Sequence, residues 1–231
     1  MVADQFHEIQ KRVAAACLRS GREPGEVTLI AVSKTKPVED LKEAYEAGAR
    51  DFGENKVQEI LEKYPRLPED IRWHMIGHLQ TNKVRQVVGK VCLIHSVDSV
   101  KLAREISKES EKQGIVTPIL LEVNVAKEET KFGFCLEETE EALEEIRTLK
   151  GIKVQGLMTI APFVEKAEDN RQIFRIFHKF YVDMKSKNID NVNMSILSMG
   201  MTGDFEVAVE EGATMVRVGT GIFGVRQRIG E

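Results

Sequence analysis

A run of strand-like residues, Val27-Thr-Leu-Ile-Ala-Val-Ser33, leads directly into Lys34, and a second lysine follows two positions later at Lys36. A lysine at a strand end is ordinarily a solvated surface charge. Turned into a protein interior, it loses hydration of its ammonium form, and the free amine becomes a nucleophile toward an aldehyde. Near the other end of the chain, Met215-Val-Arg-Val-Gly-Thr-Gly-Ile-Phe-Gly224 sets Arg217 beside small residues whose backbone N–H groups can cradle a phosphate. A Schiff-base amine, a permanent cation and a phosphate cradle together suggest pyridoxal 5'-phosphate.

Other chemistries fit the same residues less well. Gly219 to Gly224 match G-x-G-x-x-G, but the dinucleotide fingerprint needs a following helix and an acid about 20 residues on. Only seven residues follow Gly224, so NAD and FAD are excluded. His74 and His78 would lie about 13 Å apart along a strand, too far to share one zinc ion. His74 reads as a packed strand residue, His78 as a residue at the exit of the third strand that can line a mouth, and His95 carries no assignment. No serine sits in a G-x-S-x-G elbow. No metal site and no catalytic residue is assigned.

These residues must be positioned by something, and apolar runs of strand length alternate with helical periods along the chain. Eight strands are expected, at about 27–33, 50–53, 71–76, 91–96, 118–125, 153–160, 193–197 and 214–218. Helices are expected between them at 38–47, 56–64, 81–88, 100–113, 136–149, 169–186 and 204–211. An additional opening helix carries Phe6, Ile9, Val13 and Cys17 as one apolar stripe, to close the barrel bottom or pack on its side. The aromatic run between Ile173 and Met184 reads as core.

Eight parallel strands in this order fit a TIM-like (β/α)8 barrel, α/β in class, a single domain over 1–231 with an extra N-terminal helix. An open doubly wound sheet is the alternative. In the barrel, active sites lie at the C-terminal strand ends, and phosphate sites use the loops after strands 7 and 8. Lys34, Ser198-Met-Gly-Met-Thr202 and Gly219-Thr220 should then face one mouth. Alternation puts Thr28, Ile30, Val32 and Lys34 on the interior face. Lys36 shares that parity, but Pro37 begins the next helix, so it is only a candidate exchange partner for Lys34. Arg217 lies within an apolar strand and needs a defined acceptor, either a structural carboxylate or a pyridine nitrogen.

Composition narrows partners and compartment. The net charge is −4 and no basic stripe is visible, which argues against nucleic acid. The acidic stretch from Glu137 to Glu145 reads as the solvated N-terminal half of a helix. Cys17, Cys92 and Cys135 form no C-x-x-C pair and suit reduced thiols. With no apolar leader and no 18-residue apolar span, a soluble cytoplasmic protein without a membrane partner is expected.

From Val13 to Gly224 the chain resembles the pyridoxal phosphate homeostasis protein family. The resemblance rests on Ala31-Val-Ser-Lys-Thr-Lys-Pro37, Phe52-Gly-Glu-Asn55, Trp73-His-Met-Ile-Gly77 with Leu79-Gln80 and Asn82-Lys83, Gly156-Leu-Met-Thr159, Leu197-Ser-Met-Gly-Met201 and the run from Met215 to Gly224. It implies a barrel similar to the N-terminal domain of alanine racemase, with pyridoxal 5'-phosphate held as an aldimine on Lys34. It also implies that Asn55 lines the cofactor, that Arg217 approaches the pyridine nitrogen, and that Ser198, Thr202, Gly219 and Thr220 hold the phosphate. Lys36 and His78 are possible secondary contacts.

The implied role is vitamin B6 homeostasis, holding the cofactor and delivering it to apo-enzymes without firm catalytic turnover; separately, a monomer is expected. Two departures stand out. Thr202 replaces the serine of many members, keeping the hydroxyl, and residues 225–231 lack the family's Arg-Asp-Tyr ending. The enzymatic alternative, an amino-acid racemase, needs bases on both faces of a planar adduct, one of them a tyrosine from a second domain. Tyr45, Tyr64 and Tyr181 all fall in expected helices, which leaves Lys36 or His78 as the substitutes in principle. A phosphosugar isomerase would need a glutamate base, for which Glu54 and Glu122 are the only candidates near the mouth.

Overall fold

The computed structural model describes residues 1–128 and 130–225. The first half runs α1 (Val2–Arg19), β1 (Thr28–Val32), α2 (Val38–Glu46), β2 (Asp51–Glu54), α3 (Val57–Lys63), β3 (Arg72–Met75), α4 (Val84–Val87), β4 (Leu93–Val97) and α5 (Val100–Lys112). The second half runs β5 (Thr117–Glu122), α6 (Leu136–Ile146), β6 (Ile152–Met158), α7 (Arg171–Ser186), β7 (Val192–Met201), α8 (Phe205–Glu210), β8 (Met215–Val218) and α9 (Thr220–Phe223). All eight strands are parallel and close in sequence order. Closure is made by β8 on β1, from Thr28↔Met215 to Ala31↔Val218. That pairing rules out the open sheet and leaves the (β/α)8 barrel.

Strand alternation divides the core into two layers. Outward residues such as Ala31, Phe52, Trp73, Leu157 and Val216 pack beneath the helices. Inward residues form two smaller groups, Ile30, Val32 and Ile76 in one and Leu93, Leu120 and Met158 in the other, with Met215 touching both. Each large side chain so buried contributes about 1.5–3 kcal/mol. α1 buries Phe6, Ile9, Val13, Ala16 and Cys17 and packs on the barrel side against α2, α8 and α9. Arg12 and Arg19 at its outer face pair with Glu206 of α8. Among the described residues no helix is long and apolar enough to cross a membrane.

Several boundaries differ from the periodicity. β7 continues four residues past Leu197, because Ser198 is a ladder partner of Met158 on one side and Met215 on the other. The apolar pattern stops at Leu197 only because the next inward position is polar. The helix expected at 81–88 is a short 3-10 turn, Thr81–Lys83, followed by one α turn that a left-handed Gly89 ends. β6 and β7 approach so closely at Gly156 that a Cβ there would lie 1.8 Å from the Ile196 carbonyl oxygen.

Candidate functional site

The C-terminal strand ends bring Lys34, Asn55, Thr202, Arg217, Gly219 and Thr220 to the wall of one cavity of about 560 Å³. That volume is within the usual range for small-ligand sites. Val32 and Ile76 add an apolar floor, and Ile160, Pro162 and Phe163 an apolar side. Lys34 stands two residues past the end of β1, so the interior parity of Ile30 and Val32 carries through to it, and Val32 and Lys34 line the same cavity. Asn55 follows β2, and its backbone is crossed by the end of β3 at Gly77, where a Cβ would meet the Asn55 carbonyl at 2.4 Å. Asn55 Oδ1 is buried and has no hydrogen-bond partner among the described residues, so it offers an acceptor in the wall of the cavity.

On the opposite side, the Thr202 hydroxyl oxygen accepts the N–H groups of Gly219 at 3.2 Å and Gly221 at 3.4 Å. Donors from the β8–α9 turn therefore converge where the β7 loop arrives. The Asp204 carboxylate, a possible competitor for an anion there, is already used: it accepts from the Met201 N–H at 2.7 Å and from Asn170 Nδ2 at 2.8 Å. Glu206 points to Arg12 and Arg19.

Arg217 is buried, and its guanidinium donates to Ser198 Oγ at 2.7 Å and to the Thr159 carbonyl at 2.8 Å. Among the described residues it makes no ion pair within 4 Å, so the carboxylate expected of a structural salt bridge is not its acceptor. Burial pushes it down to about 10, opposed by Glu122 and Asp204, and it remains a cation at neutral pH.

Ser198 Oγ is also 3.0 Å from His95 Nδ1, His95 Nε2 is 3.0 Å from His74 Nδ1, and His74 Nε2 is 3.0 Å from Asp51 Oδ1. Arg72 closes the line on Asp51 at the barrel bottom. Its polarity is set by its ends, because a guanidinium can only donate and a carboxylate can only accept. The Ser198 proton must then point to His95, and both imidazoles carry their proton on Nε2. Burial, with His74 and Arg217 nearby, holds His95 well below its ordinary value, which keeps it neutral. Burial raises the Asp51 carboxyl, but hydrogen bonds from His74 and Arg72 outweigh it and hold it ionised.

Three expected positions differ. Ser198 is fully buried and engaged by Arg217 and His95, so its hydroxyl faces the barrel interior, apart from Thr202. Lys36 turns to the other side of its loop, where Nζ donates to the Phe223 carbonyl at 2.6 Å, beside a separate, larger cleft of about 1070 Å³ rimmed by Glu39, Glu62 and Arg66. His78 stacks on Phe132 with ring centroids 3.9 Å apart and bonds Asp98 at 2.9 Å, outside the cavity wall. Neither glutamate considered as a base lines the cavity either. Glu54 sits beneath α3 against Lys63, and Glu122 is buried in the barrel near Asp98 and Arg217. Burial pushes both up to about 7. Among the described residues no three potential ligands converge on a metal site.

The line of Asp51, His74 and His95 escaped the sequence reading, though a signal existed. His74 lies opposite the inward Gly53, and His95 is two residues after the inward Leu93, so alternation places both imidazoles in the interior with Ser198 and Arg217.

The model of the alanine racemase N-terminal domain matches residues 9–227. The pyridoxal phosphate homeostasis protein of Aquifex aeolicus is 46% identical over 225 residues, 97% of this chain and 98% of that protein. That of Pseudomonas aeruginosa is 37% identical, over 97% and 96%. Among solved structures, PipY of Synechococcus elongatus with PLP bound superposes with a TM-score of 0.83 at 35% identity, covering 97% of this chain and all of that one. Alanine racemase of Clostridium difficile shares the fold, with a TM-score of 0.75 at 14% identity, although this chain covers only 58% of it. With close relatives along nearly the full length and the same barrel beneath them, this chain belongs to the pyridoxal phosphate homeostasis protein family, within the wider group built on the alanine racemase N-terminal domain.

Proposed function

We propose that this chain holds pyridoxal 5'-phosphate on Lys34 and delivers it to apo-enzymes in the cytoplasm, without catalytic turnover of its own. The observation that carries the reading is the convergence of Lys34, Asn55, Thr202, Arg217 and Gly219 on one cavity. The cofactor, when bound, supplies an aldehyde that condenses with a primary amine, releasing one water and leaving a Schiff base. Lys34 is the amine on the cavity wall. The phosphate is assigned to Thr202 and to the N–H groups of Gly219 and Thr220, the Gly219 N–H exchanging the Thr202 oxygen it now donates to for the anion, and Asn55 offers its Oδ1 to a hydrogen-bond donor of the ligand.

Arg217 supports the carrier reading over the enzymatic one. A permanent donor aimed at a pyridine nitrogen leaves that nitrogen unprotonated and the ring a weak electron sink, which suits holding over carbanion chemistry. Ser198, given its contacts, orients Arg217 in this reading and leaves the phosphate to Thr202. For the racemase alternative an opposing base is needed, and the three tyrosines lie elsewhere: Tyr45 bonds Asp70, Tyr181 bonds the Met194 carbonyl, and Tyr64 stands on the surface beyond α3. The mouth is open, with Phe163 at its rim 97% exposed. An open mouth suits handover.

The test is borohydride reduction of protein mixed with pyridoxal 5'-phosphate, followed by peptide mass spectrometry. The adduct should sit on Lys34 and vanish in Lys34→Ala without moving to Lys36, whose amine is tied to Phe223. An adduct on another lysine of the wild type refutes the assignment. Amino-acid α-proton exchange in deuterated water at enzyme-like rates, abolished by Lys34→Ala, would instead establish the racemase reading.

A further inference from the structure

Lys34 is presented by a tight turn, Ser33 to Lys36, closed by the Lys36 N–H on the Ser33 carbonyl at 3.1 Å. The turn passes through Thr35 at φ +64°, a left-handed conformation that a β-branched residue avoids. Thr35 is exposed, so its side-chain packing does not hold it there. Something else must.

Behind the turn lies a buried lysine. Lys63, at the end of α3, is 3% exposed and spends all three ammonium protons on one cluster: the Ser33 carbonyl at 2.9 Å, Glu54 Oε1 at 2.7 Å and Glu59 Oε2 at 2.9 Å. Each acceptor leads back to the turn. Ser33 Oγ donates to Glu54 Oε1 at 2.6 Å, and the Thr35 N–H donates to Glu59 Oε2 at 2.6 Å. One ammonium thus ties the residue before Lys34 directly and the residue after it through Glu59.

We propose that Lys63 is a positioning residue for Lys34, clamping the left-handed turn so that the Lys34 amine stays on the wall of the cofactor cavity. The inference rests on the carrier reading. A buried charge could equally have been satisfied far from the site, but here every bond it makes ends on the turn or on a carboxylate that holds the turn. The strain at Thr35 is what the clamp opposes, and this gives the proposal a signature that simple stabilisation of α3 lacks. Replacing Thr35 with a residue at ease in the left-handed region should make the clamp partly dispensable. Asparagine is several-fold enriched there.

The experiment compares wild type, Lys63→Met, Glu59→Ala, Thr35→Asn and the double variant Lys63→Met/Thr35→Asn. Each is measured for pyridoxal 5'-phosphate affinity by absorbance titration and for the site of the borohydride-trapped adduct. Lys63→Met should bind at least tenfold more weakly, with its adduct spread from Lys34 to other lysines, and the double variant should regain at least threefold of the loss. Glu59→Ala breaks the outer, part-exposed arm of the clamp, and should show the same spread if Lys63→Met does not fold. Affinity and adduct position within twofold of wild type in the folded Lys63→Met protein overturn the proposal. So does loss in Lys63→Met that Thr35→Asn does not relieve, or Glu59→Ala unchanged where Lys63→Met cannot be folded. A wild type that traps no adduct on Lys34 defeats the carrier reading itself, and the clamp with it.

Discussion

Replacing His95 with leucine tests whether its imidazole bridges the two halves of the polar line from Asp51 to Arg217. His95 is fully buried between Ser198 Oγ and His74 Nδ1, at 3.0 Å from each. Leucine keeps much of the volume but strands two buried groups, the Ser198 hydroxyl proton and the His74 ring nitrogen, at about 1–3 kcal/mol each. The expected destabilisation is therefore about 2–6 kcal/mol, measured by urea unfolding at pH 7.5. His95→Asn places an amide oxygen near the position of Nδ1, and should restore the Ser198 contact but not the His74 contact, recovering roughly half of the loss. Cofactor titration supplies the second readout, since a Ser198 freed from His95 no longer fixes the Arg217 guanidinium. His95→Leu should weaken binding, and His95→Asn should restore most of it. A His95→Leu protein as stable as wild type, or a His95→Asn protein no better than leucine, refutes the role of His95 as the bridge between Ser198 and His74.

Glu122 predicts a pH dependence of stability. Its carboxyl, pushed up to about 7 by burial and by Asp98 against the pull of Arg217, holds a proton in the native state from its ordinary 4.5 up to about 7, where the unfolded chain has lost it. Raising the pH through that window therefore removes stability, about 3 kcal/mol in all, and Glu122→Gln should flatten that part of the urea-midpoint profile. An unchanged slope in the variant contradicts the burial argument. Gly156→Ala should cost at least about 3 kcal/mol, because its Cβ meets the Ile196 backbone at 1.8 Å and neither strand can retreat from the closed ladder. A melting temperature within a few degrees of wild type would show that β6 and β7 can part.

Much of this molecule is legible in one dimension, for a physical reason. Alternating strand and helix periods report which face of each element is buried, and eight such repeats leave few topologies besides the closed barrel. The same alternation turns Lys34 inward, and barrel geometry sends the ends of strands 1, 7 and 8 to one mouth, so Lys34, the stretch from Ser198 to Thr202 and Gly219-Thr220 are expected together, and Lys34, Thr202, Gly219 and Thr220 do line one cavity. Closure itself was not decidable from the periods, because an open sheet buries the same faces; it required the pairing of Thr28 with Met215. Nor could the sequence say what each polar side chain would bond. Ser198 reads as a phosphate ligand beside Thr202 until the interior packing sets it between His95 and Arg217. Lys36 shares parity with Lys34, yet the left-handed step at Thr35 turns it to the opposite side of the loop. Lys63, thirty residues from Ser33 and at the end of an ordinary helix, became the anchor of the Lys34 turn only when α3 folded back over β1 and β2. Periodicity carries burial, which is a property of each element alone, whereas hydrogen-bond partners are set by distances between elements, and those exist only in the folded chain.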